Sequence, residues 1–168
     1  RKEGLDRPVR ALHEKGYDIY SSDGTAEYIE GLGIPVIQVS EFTGFPAMMG
    51  GRLKTLHPLV HGSILGRLDN IEDIQNMQKH GMVLMNVVIV DLYPFQAEVA
   101  KGSPHEKIIE KIDIGGPTML RGAAKNHERV CVISDPKDYG PFAAMIESNA
   151  EITLLQRKKW WAKVFDVM

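Results

Sequence analysis

A single cysteine, Cys131, stands among 168 residues, so no internal disulfide can staple the chain. Its place in the apolar run VCVI reads as a small buried hydrophobe, and the usage suits a reducing cytosol. No run reaches the roughly 18 consecutive apolar residues that a membrane span needs, and no charged N-terminal region is followed by an apolar one. Nothing is therefore expected to target or anchor the chain. Charge of one sign is also lacking. A formal net charge of -2 and a pI near 6.3 leave no general basic field for a nucleic-acid backbone or an anionic membrane, so any phosphate binding is local. Internal repeats, low-complexity tracts, a Walker A loop, a GxGxxG fingerprint, a GxSxG elbow and a Cys/His nucleophilic pair are missing as well.

What is present is a chain 43% hydrophobic and 25% charged, enough to expect one globular domain with a real core. Amphipathic stretches alternate with short apolar runs, the pattern of an α/β fold with a parallel sheet flanked by helices. Helices are expected over 4–16, 25–33, 104–112, 117–126, 136–148 and 151–165. In the first, Pro8 removes a donor and confines regular helix to the residues after it. Strands are expected over 17–21, 34–39, 82–93 and 129–134. The third, MVLMNVVIVDLY, is the central one, because Val and Ile dominate and alternation is weak. Between Ser40 and Arg67 glycine and proline are too dense for a long element, which implies an extended functional loop. Ligands of open α/β sheets lie outside the carboxyl ends of the strands, so the segments after each apolar run are where a site is sought.

Three of those segments stand out. SSDGTA, residues 21–26, is a small polar turn opening a helix; Ser22, Gly24 and Thr25 would line an anion site made of free N–H groups and the helix dipole, although alone the turn reads as an N-cap. RLKTLH, residues 52–57, comes after Gly50 and Gly51; if it is extended, Arg52 and Lys54 point to one side, with the Thr55 hydroxyl available to donate. DIGGPTMLRGAAKNH, residues 113–127, has Gly115 and Gly116 for close backbone approach and Pro117 early in a helix. Thr118, Arg121 and Lys125 lie beyond it on one face, and Asp113 stands just ahead. Asp113 and Lys125 brought together would hold a proton-transfer geometry, with a surface salt bridge as the plainer account. His57 and His61 are four apart but lack a third ligand and the HExxH pattern, so no metal is expected. Trp160 and Trp161, beside Arg157, Lys158 and Lys159, read as a helix with one packed aromatic and a solvated basic edge.

Each signal is ambiguous singly, but their order is not. SSDGTA, EFTGFPAMMGGRLKTLHPLVHG, VDLYPF and IDIGGPTMLRGAAKNH together resemble the inosine monophosphate cyclohydrolase domain of the bifunctional purine-biosynthesis proteins that also carry a transformylase domain. The resemblance runs from Lys2 to about Phe165 and implies a methylglyoxal-synthase-like, Rossmann-like three-layer fold. It further implies closure of the six-membered purine ring from the 5-formamidoimidazole-4-carboxamide ribonucleotide, with loss of water and without cofactor or metal. By the same resemblance, Lys2, Ser22, Gly24 and Thr25 form the 5'-phosphate cradle with Arg52 close by, and Lys54 and Thr55 contact the substrate. Tyr93, Asp113 and Lys125 match further functional positions. On chemical grounds Asp113 and Lys125 would act on the formyl oxygen, and Lys54 and Tyr93 on the carboxamide. A cytoplasmic homodimer is implied, with the transformylase domain either linked or separate.

Some positions depart from the pattern. Asp23 stands where the family usually has glycine, Asp91 replaces an asparagine, Leu59 a lysine and Ser63 a glycine, while Asp6 and Pro8 are atypical. Residues 1–168 are expected to form one cyclohydrolase-like domain lacking the family's first strand and without the transformylase domain. A phosphate-sensing regulatory module on the same fold and an inactive relic are the rival readings, and the joint presence of Lys54, Asp113 and Lys125 favours catalysis.

Overall fold

The computed structural model describes residues 2–92 and 95–168. In chain order, α1 spans Asp6–Glu14, β1 Tyr20–Ser21, α2 Asp23–Gly31, β2 Ile37–Gln38, α3 Val39–Thr43, α4 Pro58–Leu65 and α5 Ile71–His80. Then come β3 Val87–Ile89, α6 Phe95–Ala100, α7 His105–Ile109, α8 Gly115–Lys125, β4 Cys131–Ile133, α9 Tyr139–Glu147 and α10 Leu154–Val164. The parallel α/β character expected from the alternation holds: β1 pairs with β2 and β3 with β4, both in parallel. Among the described residues, however, the strands form two separate two-stranded ladders instead of one sheet. Each strand is also shorter than its apolar run, because a ladder extends only as far as both partners overlap. Backbone bonds just outside the named strands, Cys131 N–H to the Asn86 carbonyl and Val90 N–H to that of Ile133, show the pairing fading at either end.

One apolar cluster bridges the two ladders. Leu5, just ahead of α1, and Val9 and Leu12 in it pack with Ile29, Cys131, Ile133, Phe142 and Trp160, and Ile19, Val36, Val87 and Ile89 close against them. A second cluster joins Val60 and Ile64 of α4 to Leu120, Ala123 and Ala124 of α8, with Val130, Val132 and Val164. Burial pushes the Cys131 thiol up to about 12, so this cysteine is a core residue with no nucleophilic role. Trp160 is buried and edge-on to Phe142, while Lys158 and Lys159 face solvent, as the basic edge implies.

Several expectations fail for identifiable reasons. α1 begins before Pro8, since Pro8 lies in the first turn, where N–H groups have no intrahelical partner anyway. A bidentate pair from Arg7 to Glu147, at 3.0 and 2.9 Å, fastens that first turn to α9. The supposed loop 40–67 contains α3, a 3-10 turn at Met49–Gly51 and α4. Pro58 at N1 pre-sets the dihedral of α4, and the His57 Nδ1 accepts the Leu59 N–H at 3.1 Å as its cap. Two helices, α5 and α6, carry no expectation from the sequence. α5 is bounded by an Asn70 cap and by Gly81 at φ 68, and the Arg67 guanidinium holds the Asp73 carboxyl down at about 2.

The C-terminal end of α4 is closed from outside. Arg129 donates from Nε to the Gly66 carbonyl (3.0 Å), from Nη2 to those of Ser63 (2.9 Å) and Ile64 (2.8 Å), and from Nη1 to that of Met85 (3.2 Å). Asn126 Nδ2 adds bonds to Ile64 and Gly66 at 2.9 and 3.1 Å. Those of Ser63, Ile64 and Gly66 are among the carbonyls a helix end leaves without intrahelical partners, and that of Met85 belongs to the approach to β3. Replacing Arg129 with methionine keeps the stem but removes the guanidinium bonds, while the Ser63 carbonyl keeps the Met85 N–H and those of Ile64 and Gly66 keep Asn126, and the expected cost is about 1–3 kcal/mol. A urea unfolding curve of Arg129→Met measures it, and a shift below about 0.5 kcal/mol would show that water caps α4 equally well.

Candidate active site

Ser22 leads from β1 into α2 in extended backbone and makes no side-chain cap bond, so the first-turn N–H groups of α2 are not used by a local cap. Asp23 comes next at φ 46, in the left-handed region that non-glycine residues seldom enter. The Lys2 ammonium lies against Gly24, with Nζ 3.1 Å from where a β-carbon would stand, and Thr25 is half-buried in the same turn. Across a narrow cleft lie Gln38 and Ser40, at and just past the end of β2, with Phe45 and Lys54. The cleft therefore sits at the carboxyl ends of β1 and β2, where the topology directs a ligand.

The segment carrying Arg52 and Lys54 is a turn, not a strand. Gly50 and Gly51 have φ 66 and 87, and Met48 and Leu53 close an antiparallel bridge around them. The expectation that Arg52 and Lys54 share a side is thereby overturned, since it assumed the period of an extended chain. Lys54 folds back over Gly51, its Cε 2.7 Å from a virtual β-carbon, and pairs with the Asp23 carboxylate. Arg52 turns to Glu110, just past α7, so it contributes to a different surface from the α2 turn.

Thr55 comes next, and its Oγ1 occupies the space that a β-carbon on Gly115 would need. At the adjacent glycine, the Asp113 Oδ1 accepts the Gly116 N–H at 2.9 Å, and its Oδ2 lies 2.5 Å from the Gly116 β-carbon position. Leu92 crowds that position too, at 2.8 Å. Lys2, Ser22, Gly24, Thr25, Lys54, Thr55, Gly115, Gly116 and Asp113 thus form one continuous run of neighbours. Tyr93 lies outside the described residues.

Lys125 does not join the run. It is the last residue of α8 and exposed, and ten residues of helix place it roughly 15 Å of rise from Gly115. No ion pair links it to Asp113 among the described residues. Helical spacing put it on the right face but said nothing of height along the axis.

Neither histidine of HPLVH is placed as a ligand. His57 caps α4 and packs on Phe45 with ring centroids 5.1 Å apart, while burial pulls His61 below its ordinary value. Among the described residues no three His, Cys, Asp or Glu side chains gather as a metal site. Sequence reasoning missed Glu110 and the cleft residues Gln38 and Ser40. The latter two stand at the end of an apolar run, a signal that was available.

Residues 4–118 match the family of the MGS-like domain, and residues 123–168 that of the AICARFT/IMPCHase bienzyme. The chain is similar to the bifunctional purine biosynthesis protein PurH of Rhodospirillum rubrum, 47% identical over 98% of this chain and 31% of the relative. That of Bacteroides thetaiotaomicron is 43% identical over 96% of this chain and 32% of the relative. The chain accordingly spans about a third of the length of these curated relatives. A crystal structure of ForH is similar throughout, with a TM-score of 0.84 and 30% identity, covering 99% of this chain and 87% of that one. No helix among the described residues is long and apolar enough to cross a membrane.

The packing of Asp113 and Leu92 against Gly116 leaves no room for a methyl group. Gly116→Ala is expected to lower stability by about 1–3 kcal/mol. Gly31→Ala, at a helix position with open space and an ordinary dihedral, should be neutral or slightly stabilising. Paired urea titrations test this, and equal midpoints for the two variants would mean that α8 can shift without cost.

Proposed function

The chain belongs to the family of MGS-like domains, and on that premise we propose that it is an inosine monophosphate cyclohydrolase, closing the purine ring of 5-formamidoimidazole-4-carboxamide ribonucleotide in purine biosynthesis. The observation that carries the reading is the meeting of two distant segments. Thr55, with Lys54 beside it, lies on Gly115, and Asp113 is held on Gly116. The turn that opens α2 stands next to them through the contact of Lys54 with Asp23. A nucleotide monophosphate fits that arrangement. Its phosphate takes the free N–H groups around Ser22, Gly24 and Thr25 with the Lys2 ammonium, and its base reaches Lys54, Thr55 and Asp113.

The chemistry asked of these groups is modest. The carboxamide nitrogen attacks the formyl carbon of the same molecule, a C–N bond forms, and the formyl oxygen leaves as water with one proton from that nitrogen and one from the formamido nitrogen, which becomes doubly bonded to the former formyl carbon. Holding the two arms in near-attack geometry supplies most of the acceleration. Asp113 takes each proton from nitrogen and passes it to the formyl oxygen, so one carboxylate serves as base and then acid. The Lys54 ammonium stabilises the negative charge that develops on that oxygen. This keeps Asp113 at the formyl oxygen without requiring Lys125 beside it, since that lysine stands at the far end of α8. No redox or metal step enters the chemistry. A homodimer, a cytoplasmic setting and a transformylase activity, in the same polypeptide or a separate one, complete the reading.

Supplying the formylated ribonucleotide and following the ultraviolet change of ring closure tests it. Turnover is expected, with Lys54→Ala and Asp113→Asn each lowering kcat by about 100-fold or more. Saturable binding of inosine monophosphate without turnover would point to a regulatory module instead. Unchanged turnover in Lys54→Ala would remove that lysine from the mechanism.

A further inference from the structure

We infer that Asp23 sets the affinity of the nucleotide site, because its carboxylate occupies the Lys54 ammonium until the substrate displaces it. The inference rests on the cyclohydrolase reading and concerns the same cleft. Three observations carry it. The first is the backbone: Asp23 opens α2 at φ 46, a conformation that costs free energy for any residue but glycine and that Asp and Asn tolerate best. Strain of this kind persists where the surroundings hold it, and here the holding partner is Lys54.

The second observation is place. Asp23 and Lys54 line one cleft with Ser22, Gln38 and Ser40, so their ion pair lies across the path between the phosphate turn and the Thr55 end of the site. Gly51 leaves room for the lysine stem to fold back toward Asp23, which a β-carbon there would obstruct. The third is exposure: the side chains of Lys54 and Asp23 are 34% and 48% exposed. A pair so open to water is weak and easily exchanged. A nucleotide that brings its own negative charge and meets the α2 N–H groups can replace the carboxylate, releasing Lys54 for the reacting oxygen. Asp23 then acts as a tethered competitor that keeps the free lysine neutralised and lowers the apparent affinity of the site.

Isothermal titration with inosine 5'-monophosphate tests this on the intact protein. Asp23→Asn keeps the left-handed backbone and removes the charge, and should tighten the dissociation constant by about two- to fivefold at low ionic strength. The gain should shrink at about 0.5 M salt and vanish in the Lys54→Met background. Asp23→Gly, which also relieves the backbone, should tighten binding at least as much. Unchanged or weaker binding in both single variants, with the wild type binding saturably, overturns the role of Asp23 and leaves the functional reading standing. A gain of equal size in the Lys54→Met background also overturns it, by showing simple repulsion between Asp23 and the phosphate. No saturable binding by any protein in the series overturns the functional reading, and this one with it.

Discussion

The architecture of the site depends on α4 and α8 being locked start to start and end to end. At one end the Thr55 hydroxyl, just ahead of α4, sits in the space left by Gly115 at the beginning of α8. At the other, Asn126 and Arg129, just past α8, collect the last carbonyls of α4. Between these fastenings the helices share apolar contacts, with Ile64 and His61 close to Gly122 and Val60, Leu120 and Ala124 buried nearby. Hydrogen bonds from a guanidinium to carbonyls are directional in a way that apolar contact is not. They set how far α4 slides along α8, and that sliding position decides whether Thr55 reaches Gly115. A site made of side chains on a turn thereby inherits the precision of two helices.

Charge is handled locally. The net charge of -2 gives the molecule no long-range attraction for a phosphate, yet Lys2 and Lys54 both reach the α2 turn, and Arg52 shares the turn of Lys54 while facing another surface. Two of the three meet carboxylates from other elements, Arg52 on Glu110 and Lys54 on Asp23. With side chains more than half exposed, the Arg52–Glu110 pair adds little to stability. Its effect is to tether the 49–55 turn to the connection ahead of α8, so that Arg52 and Lys54 are drawn to opposite flanks. The same electrostatics that would draw in a nucleotide therefore also arranges the turn itself.

How much of this was legible in the sequence depended on the kind of signal. The parallel α/β layering could be read from alternating apolar runs and amphipathic stretches, and the helices at 25–33, 117–126 and 151–165 lie within two or three residues of those observed. Helix α4 was hidden because its cap is a histidine, a residue outside the usual capping set, and because Gly62 and Gly66 read as breakers. They serve instead to admit the sulfur atoms of Met82 and Met77. Helix α5 had ordinary markers in Asn70 and Gly81, so its omission was not forced by the physics. At the site, the glycines of DIGGP could be read as points of close approach, but the Thr55 that approaches Gly115 could not, since it comes from some sixty residues earlier in the chain. The inference about Arg52 and Lys54 failed because parity of side chains holds only for an extended segment. The one about Lys125 failed because a helical face fixes direction but leaves ten residues of rise unaccounted for.

Left-handed backbone at non-glycine residues occurs at Asp23 and Met49 beside the site and at Asn149 past α9. Neither α4 nor α8 contains a residue with positive φ among those described, whereas Asp23, Met49, Gly50 and Gly51 all adopt it. Asp23 and Gly51 meet the Lys54 side chain directly, one from the α2 side and one from its own turn, and Met49 and Gly50 belong to that turn. Left-handed conformations at Asp23 and Met49 are each unfavourable for a side chain, and no buried apolar contact compensates, since Asp23 and Met49 are both exposed. What holds the arrangement is the mutual pairing of Lys54 with Asp23 and the bridge between Met48 and Leu53. A turn held this way has a low cost of rearrangement, because removing one exposed ion pair frees it. The rigid α4–α8 frame keeps Thr55 and Asp113 in place while that happens, so the lysine can change partners without disturbing the groups it has to work beside.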